Sequence, residues 1–372
     1  MKRIIFAAAA LFWGGLPGAQ AQEISFEGNI NLLKLPANVY LGEAAGVATD
    51  SKGNILVYTR TGESGTMGGS RFFTHGGSRL FEFDATGKYV REIGAGIYGF
   101  LFANSVRVDA QDNIWAVDRG SNNIIKFGPT GQFLQVLSRK PESINPAGGP
   151  EGGGGGGGRG AAPAGGRGAE AGGGRAPAAG GGGRGRGGVP GQGVQGDNFN
   201  RPTDIAFDPQ GNMYVSDAYT NARIVKLDKT GRFIKTWGSR GSGEGQFNMP
   251  NSVAVDAQGN VYVADLGNKR IQVFDGEGNF KSQIGDIGAP WTLCISPGAH
   301  QYLYSSNSNP PDSMDNGEIY KMELDGKVLG KFGTAGKLVR EFGTVNEIDC
   351  RNPNTLYVGE LTNWRVQKLT LK

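Results

Sequence analysis

Three asparagines occupy the same point of a recurring sequence pattern, directly before an apolar stretch. They are Asn104 in FANSVRVD, Asn251 in MPNSVAVD and Asn346 in TVNEIDC, and the acids Asp204 and Glu347 stand one repeat position later. Neutral carboxamide and carboxylate oxygens suit Ca²⁺ far better than Zn²⁺. The asparagines therefore have three interpretations: caps of an opening, contacts to a polar ligand, or oxygen ligands of calcium. The two acids either add charge to a calcium site or bind turn amides.

A second set of side chains has the chemistry of carboxylate recognition and proton transfer. Arg60, in VYTR, can clamp a carboxylate with two parallel hydrogen bonds. Tyr219, in SDAYTNARI, can serve as a general base only where its surroundings favour the phenolate. Trp291 can stack on a ligand or pack in the core. Trp291 is therefore a candidate ligand contact.

Histidine and cysteine are scarce, with two of each in 372 residues. These counts exclude a disulfide scaffold, a zinc ribbon and any site built on three histidines. His75 lies in a long insert and His300 in a short turn. Cys294 and Cys350 differ by one residue in repeat register, so strand alternation predicts that they point to opposite sides of their sheets and stay unpaired.

These residues belong to six copies of one pattern, in which apolar strands with a period of two are separated by Gly, Asn or Asp turns. The clearest copies are 202–238 and 250–285, and the last copy ends after three strands. Four short strands per copy at this spacing predict an all-β, six-bladed β-propeller, with a β-sandwich pair as the alternative. We expect the segment 30–35, INLLKL, to close the ring as the missing strand of the last blade.

Long connections identify the functional face. Lettering the strands a to d from the inside out, the insert 61–78 joins strands b and c of blade 1, and 306–317 joins b and c of blade 5. A third connection, between blades 2 and 3, contains the Gly-rich tract 147–196. All three emerge on one face of a propeller, which we call the top face, and ligands bind preferentially on such loops.

The ends and the tract set the domain organisation. Residues 1–21 have a basic start, an apolar run and an Ala-Gln-Ala site, as in a secretory signal peptide; a membrane anchor is the alternative. Residues 22–372 then form a single propeller, interrupted by 147–196, whose composition predicts disorder. The tract carries most of the net charge of +4, so the remaining surface gives no reason to expect nucleic-acid binding. We expect a monomer without a membrane span, exported to the periplasm or the extracellular space.

The repeats resemble NHL repeats, most clearly in 199–280, through PTDIAFD, VSDAYTNARIVK and VADLGNKRIQVF. Over most of 46–372 they are similar in particular to the peptidyl-α-hydroxyglycine α-amidating lyases. That resemblance implies a six-bladed propeller that cleaves a hydroxyglycine-extended peptide into a peptide amide and glyoxylate. It also implies a catalytic zinc held by three histidines at the channel mouth, assisted by a tyrosine and two arginines.

This sequence departs from the family at the metal. The three histidine positions read Asn104, Asn251 and Asn346. The tyrosine and one arginine are retained as Tyr219 and Arg60, so the resemblance makes these two the candidate catalytic residues. The second arginine position, after the last acid of strand b in blade 4, is Leu266. The family's structural calcium would use an acid at the position of Glu347.

Two functions follow from this comparison. The first is a degenerate, non-catalytic relative that binds a peptide, a glycan or a small molecule at the top face. The alternative is a metal-dependent lyase or hydrolase that uses calcium or weakly held zinc. Of the cofactors, calcium stays open and zinc is disfavoured, because neutral oxygens would hold zinc poorly.

Overall fold

The structure, a computed structural model, describes residues 21–60, 77–97, 99–137, 198–219, 221–308 and 316–372. Strands dominate these ranges, and the helical structure within them is a single 3₁₀ turn at Leu266–Asn268. The period-two runs of Val, Ile, Tyr and Phe between Gly and Asn turns favour strands over helices.

Six antiparallel sheets of four strands follow one another along the chain. The last sheet takes its outermost strand from the N-terminal region. In order from strand a to strand d, the bounds are, for blade 1, Glu43–Thr49, Ile55–Arg60, Ser78–Phe83 and Tyr89–Ile93; for blade 2, Ala103–Val108, Ile114–Asp118, Asn123–Phe127 and Phe133–Leu137; for blade 3, Pro202–Phe207, Met213–Asp217, Arg223–Leu227 and Phe233–Trp237; for blade 4, Pro250–Val255, Val261–Asp265, Arg270–Phe274 and Phe280–Ile284; for blade 5, Pro290–Ile295, Leu303–Ser308, Gly317–Met322 and Val328–Phe332; and for blade 6, Val345–Asn352, Thr355–Glu360, Arg365–Leu371 and Phe26–Asn29.

Two short parallel pairs lie in the connections that lead into blades 4 and 6. Ser239–Arg240 pairs with Gln246–Phe247, and Thr334–Ala335 pairs with Glu341–Phe342. The second member of each pair ends three residues before a strand a. These pairs therefore brace the chain where it enters a blade.

The sheets form a closed ring. Each strand a contacts the strand a of the next blade, and the strand a of blade 6 contacts that of blade 1. Six buried apolar clusters lie in the ring, each built from two neighbouring blades. The predicted six-bladed propeller is confirmed, and the alternative of two packed sandwiches is wrong.

An N-terminal strand closes the ring as predicted, but the segment differs. Phe26–Asn29, and not 30–35, pairs with the last strand of the chain, with Phe26 opposite Leu371. The ring of Phe26 packs against Phe332 at 5.1 Å, which fixes this register in the cleft between blades 5 and 6. The more apolar segment 30–35 instead packs Leu32 into the cluster between blades 6 and 1.

The prediction that the two cysteines stay unpaired is wrong. Cys294 and Cys350 form a disulfide, with their Cα atoms 6.0 Å apart. They do lie on opposite faces of their own sheets, but neighbouring blades pack with opposite faces towards each other. An offset of one residue between adjacent inner strands therefore turns the two side chains together, inside the cluster between blades 5 and 6.

The predicted connections join the expected strands. Strand b of blade 1 ends at Arg60 and strand c begins at Ser78, and the corresponding bounds in blade 5 are Ser308 and Gly317. Most of these inserts, the Gly-rich tract and nearly all of the predicted signal peptide lie outside the described residues. Within the described ranges, no helix is long and apolar enough to span a membrane.

Candidate functional site at the channel mouth

Every inner strand is irregular near its start: the irregularity follows the first residue of the strand in blades 2 to 6, where it spans two residues in blade 5, and the second residue in blade 1. The pairing of strands a and b shifts register there in all six blades. A β-bulge leaves its residue outside the ladder and redirects its side chain. The residues at this point ring the top of the channel: Ala45, Asn104, Thr203, Asn251, Trp291 and Asn346.

The three predicted asparagines each reach across to the bulge of the following blade. Asn104 Nδ2 donates to the carbonyl of Thr203 at 2.6 Å, and Asn251 Nδ2 donates to that of Trp291 at 2.7 Å. Asn346 Nδ2 donates to the carbonyl of Ala45, and also to that of Asn104 at 2.7 Å. The contacts fasten blades 2 to 3, 4 to 5 and 6 to 1.

In these contacts, the side-chain amide N–H groups of the asparagines donate to backbone carbonyls. The oxygen of Asn346 is engaged as well, because it accepts the indole N–H of Trp291 at 2.9 Å. A buried carbonyl without a donor costs stability, so each asparagine has a structural use that needs no ligand. Their use as ligand or metal contacts, and that of Trp291, stays a prediction.

The two predicted acids are joined by an arginine that sequence reasoning missed. Arg107, on strand a of blade 2, makes a bidentate pair with Asp204 at 2.9 and 2.7 Å. Its Nη1 lies 2.7 Å from Glu347 Oε1. The guanidinium also donates to the carbonyls of Leu293 and Ile348. Blades 2, 3, 5 and 6 thus meet at one side chain inside the channel.

Asp204 accepts further hydrogen bonds, which hold its carboxylate in place beside Arg107. Ser252 Oγ donates to Asp204 Oδ2 at 2.6 Å, and the backbone N–H of Val253 donates to the same oxygen. Burial opposes the charge on Arg107, but the nearby carboxylates outweigh it and raise the pKa of Arg107. Asp204 and Glu347 already surround a cation, so they fit a calcium ion poorly.

The two candidate catalytic residues lie close together at the mouth. Arg60 Nε donates to the carbonyl of Ala103 at 2.6 Å, and its Nη1 lies 3.1 Å from Glu43 Oε2. Its guanidinium stacks 4.0 Å from the centre of the Phe102 ring. Tyr219 reaches the same ring indirectly, through a second arginine.

That second arginine is Arg119. Its Nη1 donates to the hydroxyl of Tyr219, and its guanidinium lies 4.4 Å from the Phe102 ring and 4.7 Å from the Tyr219 ring. Arg201 adds a third guanidinium 5.8 Å from the Tyr219 ring. We call these five residues, Arg60, Phe102, Arg119, Arg201 and Tyr219, the mouth cluster.

Sequence reasoning missed three members of the mouth cluster. Arg119 directly follows Asp118, the last residue of strand b in blade 2. Strand b of blade 1 is one residue longer at this end, so that Arg60 is its last residue. Aligned on their pairing with strand a, Arg60 and Arg119 share one repeat position, which the copies alone could have indicated. Arg201 directly precedes strand a of blade 3 and has a left-handed φ of 64°, which the sequence pattern does not predict.

Positive charge is crowded in the mouth cluster. Burial and the neighbouring Arg119 lower the pKa of Arg60 to about 10. Burial lowers the pKa of Arg119, which Tyr219 partly offsets and Arg201 reinforces. Arg119 Nε is buried and has no hydrogen-bond partner among the described residues. The cluster therefore favours an anion, and an acceptor oxygen in particular.

Acidic residues at the ends of the b strands hold the loops around the mouth. Asp118 accepts the N–H groups of Leu101 and Phe102 at 2.9 and 2.8 Å, and so positions the aromatic ring of the mouth cluster. Three other acids accept an N–H from the loop before strand a and an arginine from strand c: Asp217, Asp265 and Glu360.

Among the described residues, no histidine or free cysteine lies at the mouth. His300 lies in the a–b turn of blade 5, on the opposite face, where it bonds Glu323 at 2.8 Å. His75 lies outside the described residues, and both cysteines are in the disulfide. In the described part of the chain, no group of three or more His, Cys, Asp or Glu residues is arranged to hold a metal ion. The asparagine amides at the mouth fit zinc poorly.

Comparisons with known proteins agree with the repeat pattern. A family model for the NHL repeat matches residues 247–274. The peptidyl-alpha-hydroxyglycine alpha-amidating lyase 1 of Drosophila melanogaster is 25% identical over 368 residues, covering 89% of this chain and 57% of that protein. The peptidyl-glycine alpha-amidating monooxygenase A of Xenopus laevis is 31% identical over 176 residues, covering 44% of this chain and 18% of that protein.

Solved structures share the architecture. The virginiamycin B lyase of Staphylococcus aureus has a TM-score of 0.51 at 10% identity, covering 94% of this chain and 100% of that one. A gluconolactonase of Xanthomonas campestris has a TM-score of 0.51 at 15% identity, covering 96% and 99%. At these identities the likeness concerns the fold alone. This chain is a six-bladed β-propeller that contains an NHL repeat and is weakly homologous to the peptidyl-α-hydroxyglycine α-amidating lyases.

Proposed function

We propose that this protein is a binding propeller whose top-face mouth receives the anionic group of a peptide or small-molecule ligand. The observation that carries the proposal is the mouth cluster, where three guanidinium groups surround Tyr219 and Phe102. Glu43 is the one carboxylate that pairs with Arg60 there, and the buried Asp118 beneath is occupied by loop N–H groups.

A carboxylate would complete the hydrogen bonding of this cluster. The fork of an arginine matches the two oxygens of a carboxylate, and such charge-assisted bonds are about twice as strong as neutral ones. Arg119 Nε offers a buried donor, and Phe102 offers an apolar surface beside it. A peptide with a free C-terminal carboxylate therefore fits better than a neutral glycan.

The proposed binding needs no metal ion. The amides of Asn104, Asn251 and Asn346 bond backbone carbonyls, and Asp204 with Glu347 surrounds Arg107. These residues support a mouth in which arginines, and not a metal, provide positive charge. We expect the purified protein to bind its ligand equally well in the presence of a chelator.

A second candidate is a lyase of the amidating type. It is favoured by the homology over 89% of the chain and by the position of Arg60 and Tyr219 in one cluster. The Drosophila relative is by name a lyase of peptidyl-α-hydroxyglycine. Such a substrate also ends in a carboxylate, so both candidates place an anion at the mouth.

Calorimetric titration tests the binding function. The ligands are an N-acetylated tripeptide with a free C-terminal carboxylate and the same peptide as its C-terminal amide. We expect the carboxylate form to bind at least about tenfold more tightly, with Arg119→Met abolishing the preference. The matched control is Arg91→Met, which removes a surface arginine of blade 1 that pairs with Glu82. Equal affinities for the two peptides would refute the proposal.

Glyoxylate release from a peptidyl-α-hydroxyglycine separates the two candidates. We expect no turnover above background with or without added Zn²⁺ or Ca²⁺. Turnover that Tyr219→Phe abolishes would establish the second candidate in place of the first.

Export is part of the proposed function. The signal-like segment 1–21 supports it, and so does the disulfide, because disulfides persist in oxidising compartments and are rare in the cytosol. Mass spectrometry of protein recovered from the producing cell should find a mature chain that begins near Gln22. A chain that retains residues 1–21 would contradict export through a cleaved signal.

A further inference from the structure

A cavity of about 380 Å³ opens on the bottom face, opposite the mouth cluster. It lies between blades 2 and 3, under the two a–b turns, Asp109–Gln111 and Asp208–Gly211. Its volume falls within the range of small-molecule sites. Neither the proposed function nor the similarity to known proteins assigns it a role.

Two equivalent clefts, between blades 3 and 4 and between blades 4 and 5, are each bridged by a tyrosine hydroxyl. The hydroxyl of Tyr214, the second residue of strand b in blade 3, bonds the carbonyl of Gly276 in the c–d turn of blade 4 at 3.2 Å. Tyr262, at the same position of blade 4, bonds the carbonyl of Leu324 in blade 5 at 3.2 Å. In both clefts, one phenol links a strand to the turn of the next blade.

Blade 2 has a tryptophan at this position. Trp115 Nε1 donates to Asp109 Oδ2 at 2.9 Å, within its own blade. An indole has one N–H donor and no acceptor, so this bond uses its full capacity. The c–d turn of blade 3 is therefore not tied to strand b of blade 2, and the cleft stays open.

A lysine in this cleft lacks the partner that its counterpart has. Lys226 of blade 3 bonds Glu277 Oε1 at 2.7 Å. Lys126 holds the same position in blade 2, but Thr230 stands where blade 4 has Glu277. Its ammonium lies 3.9 Å from Asp109 Oδ2 and 4.7 Å from the Trp115 ring.

The acids in the wall are already satisfied. Asp109 accepts hydrogen bonds from two backbone N–H groups, from Asn113 and from Trp115. Asp208 is held in the same way by its own turn and by Tyr214. Lys126 and Lys229 therefore balance the charges of Asp109 and Asp208, but Lys126 Nζ makes no hydrogen bond to the described residues and keeps its donors for an acceptor on a ligand.

One part of the remaining wall is apolar, and Gln111 and Gln210 are its polar members. Phe207 is partly exposed and packs 5.4 Å from the Trp115 ring, and Pro209 and Met213 extend this surface. A flat ligand can stack on such a wall while a lysine pairs with its charge. We propose that the cleft between blades 2 and 3 binds a small aromatic carboxylate, independently of the top-face mouth.

Titration calorimetry with benzoate, and with neutral benzyl alcohol for comparison, tests the proposal. In the Arg119→Met variant, which lacks the anion site of the mouth, we expect benzoate to bind with 1:1 stoichiometry, and Lys126→Met to weaken this binding by at least about tenfold. The matched control is Lys226→Met, the same repeat position in a closed cleft, which should leave benzoate affinity unchanged. Thermal unfolding of each variant confirms that it remains folded.

Arg119→Met separates this site from the mouth, and benzoate affinity should persist in that variant. Loss of benzoate binding in Arg119→Met but not in Lys126→Met would place the anion at the mouth and overturn the proposal. So would equal affinities for benzoate and benzyl alcohol, or no binding of either.

Discussion

The arginines at the mouth and the arginine inside the channel differ in their surroundings, because carboxylates surround only the one inside. Inside, Arg107 contacts Asp204 and Glu347, and these carboxylates raise its pKa. At the mouth, Arg60 and Arg119 crowd against one aromatic ring, and burial lowers the pKa of both. One region has its counter-charges built in, whereas the other is short of them.

This difference separates structural from ligand-binding cations. A buried charge is tolerated when partners surround it, and removing one partner is strongly destabilising. A cluster of like charges with an unpartnered donor costs stability until an anion arrives. We therefore expect substitutions in the channel to lower stability, and substitutions at the mouth to lower affinity.

The largest expected effect comes from Arg107→Met. It leaves Asp204 and Glu347 buried without their cation, and should reduce the free energy of unfolding by about 3–5 kcal/mol. Guanidinium titration followed by tryptophan fluorescence measures this loss. Adding Asp204→Asn and Glu347→Gln to the variant should restore a large part of it. A loss below about 1 kcal/mol in the single variant would show that Arg107 contributes little to the stability of the fold.

Removal of the disulfide should rank second. The double variant Cys294→Ser with Cys350→Ser should lose about 2–4 kcal/mol, because the bond restrains 56 residues of sequence in the unfolded chain. The carbonyls of Leu293 and Ile348, one and two residues before these cysteines in sequence, both accept from Arg107. Losses in the combined variant with Arg107→Met should therefore be non-additive. Simple additivity would contradict a shared network.

At the mouth, Arg119→Met should change affinity more than stability. The dissociation constant for a peptide carboxylate should rise at least about tenfold, because a charge-assisted pair is lost. The free energy of unfolding should change by no more than about 1 kcal/mol, since like-charge crowding is relieved while packing on Phe102 is lost. The same denaturant titration and calorimetry measure both quantities. A large stability loss with unchanged affinity would reverse the assignment of the two regions.

The smallest effects are expected for the asparagines. Asn104→Ala and Asn251→Ala should each cost about 1 kcal/mol, because a bulge carbonyl of the next blade loses its donor. Peptide affinity should stay within about twofold of the unsubstituted protein. An affinity loss as large as that of Arg119→Met would instead make these asparagines ligand contacts.

The repeat explains why the fold could be predicted and the site only in part. Blade number, strand order and the face of the long inserts follow from local patterns that recur six times. The contacts that decided the outcome for Cys294 with Cys350 and for Arg107 join different blades and do not recur among the described residues. The alternation of side chains along a strand led to the wrong prediction that the cysteines stay unpaired. It describes a single sheet, whereas the disulfide joins the facing sides of two neighbouring sheets.

Single residues show the same limit. Arg60 and Tyr219 were found through family resemblance, and Arg119 escaped because the family places its second arginine in blade 4. Asp204 and Glu347 lie on inner strands, but the sequence pattern has no signal for the arginine that joins them. Which arginine meets which acid depends on proximity in three dimensions: Arg107 and Asp204 are 97 residues apart in the chain, and Glu347 is farther still.

The central claim is that arginines, without a metal, give the mouth its affinity for anions. The most direct measurement is calorimetry of the acetylated peptide, as carboxylate and as amide, with chelator-treated protein and with Arg119→Met. We predict that chelation leaves the dissociation constant unchanged, and that the preference for the carboxylate disappears in the variant. Binding that vanishes on chelation, or that ignores the carboxylate, would contradict the claim.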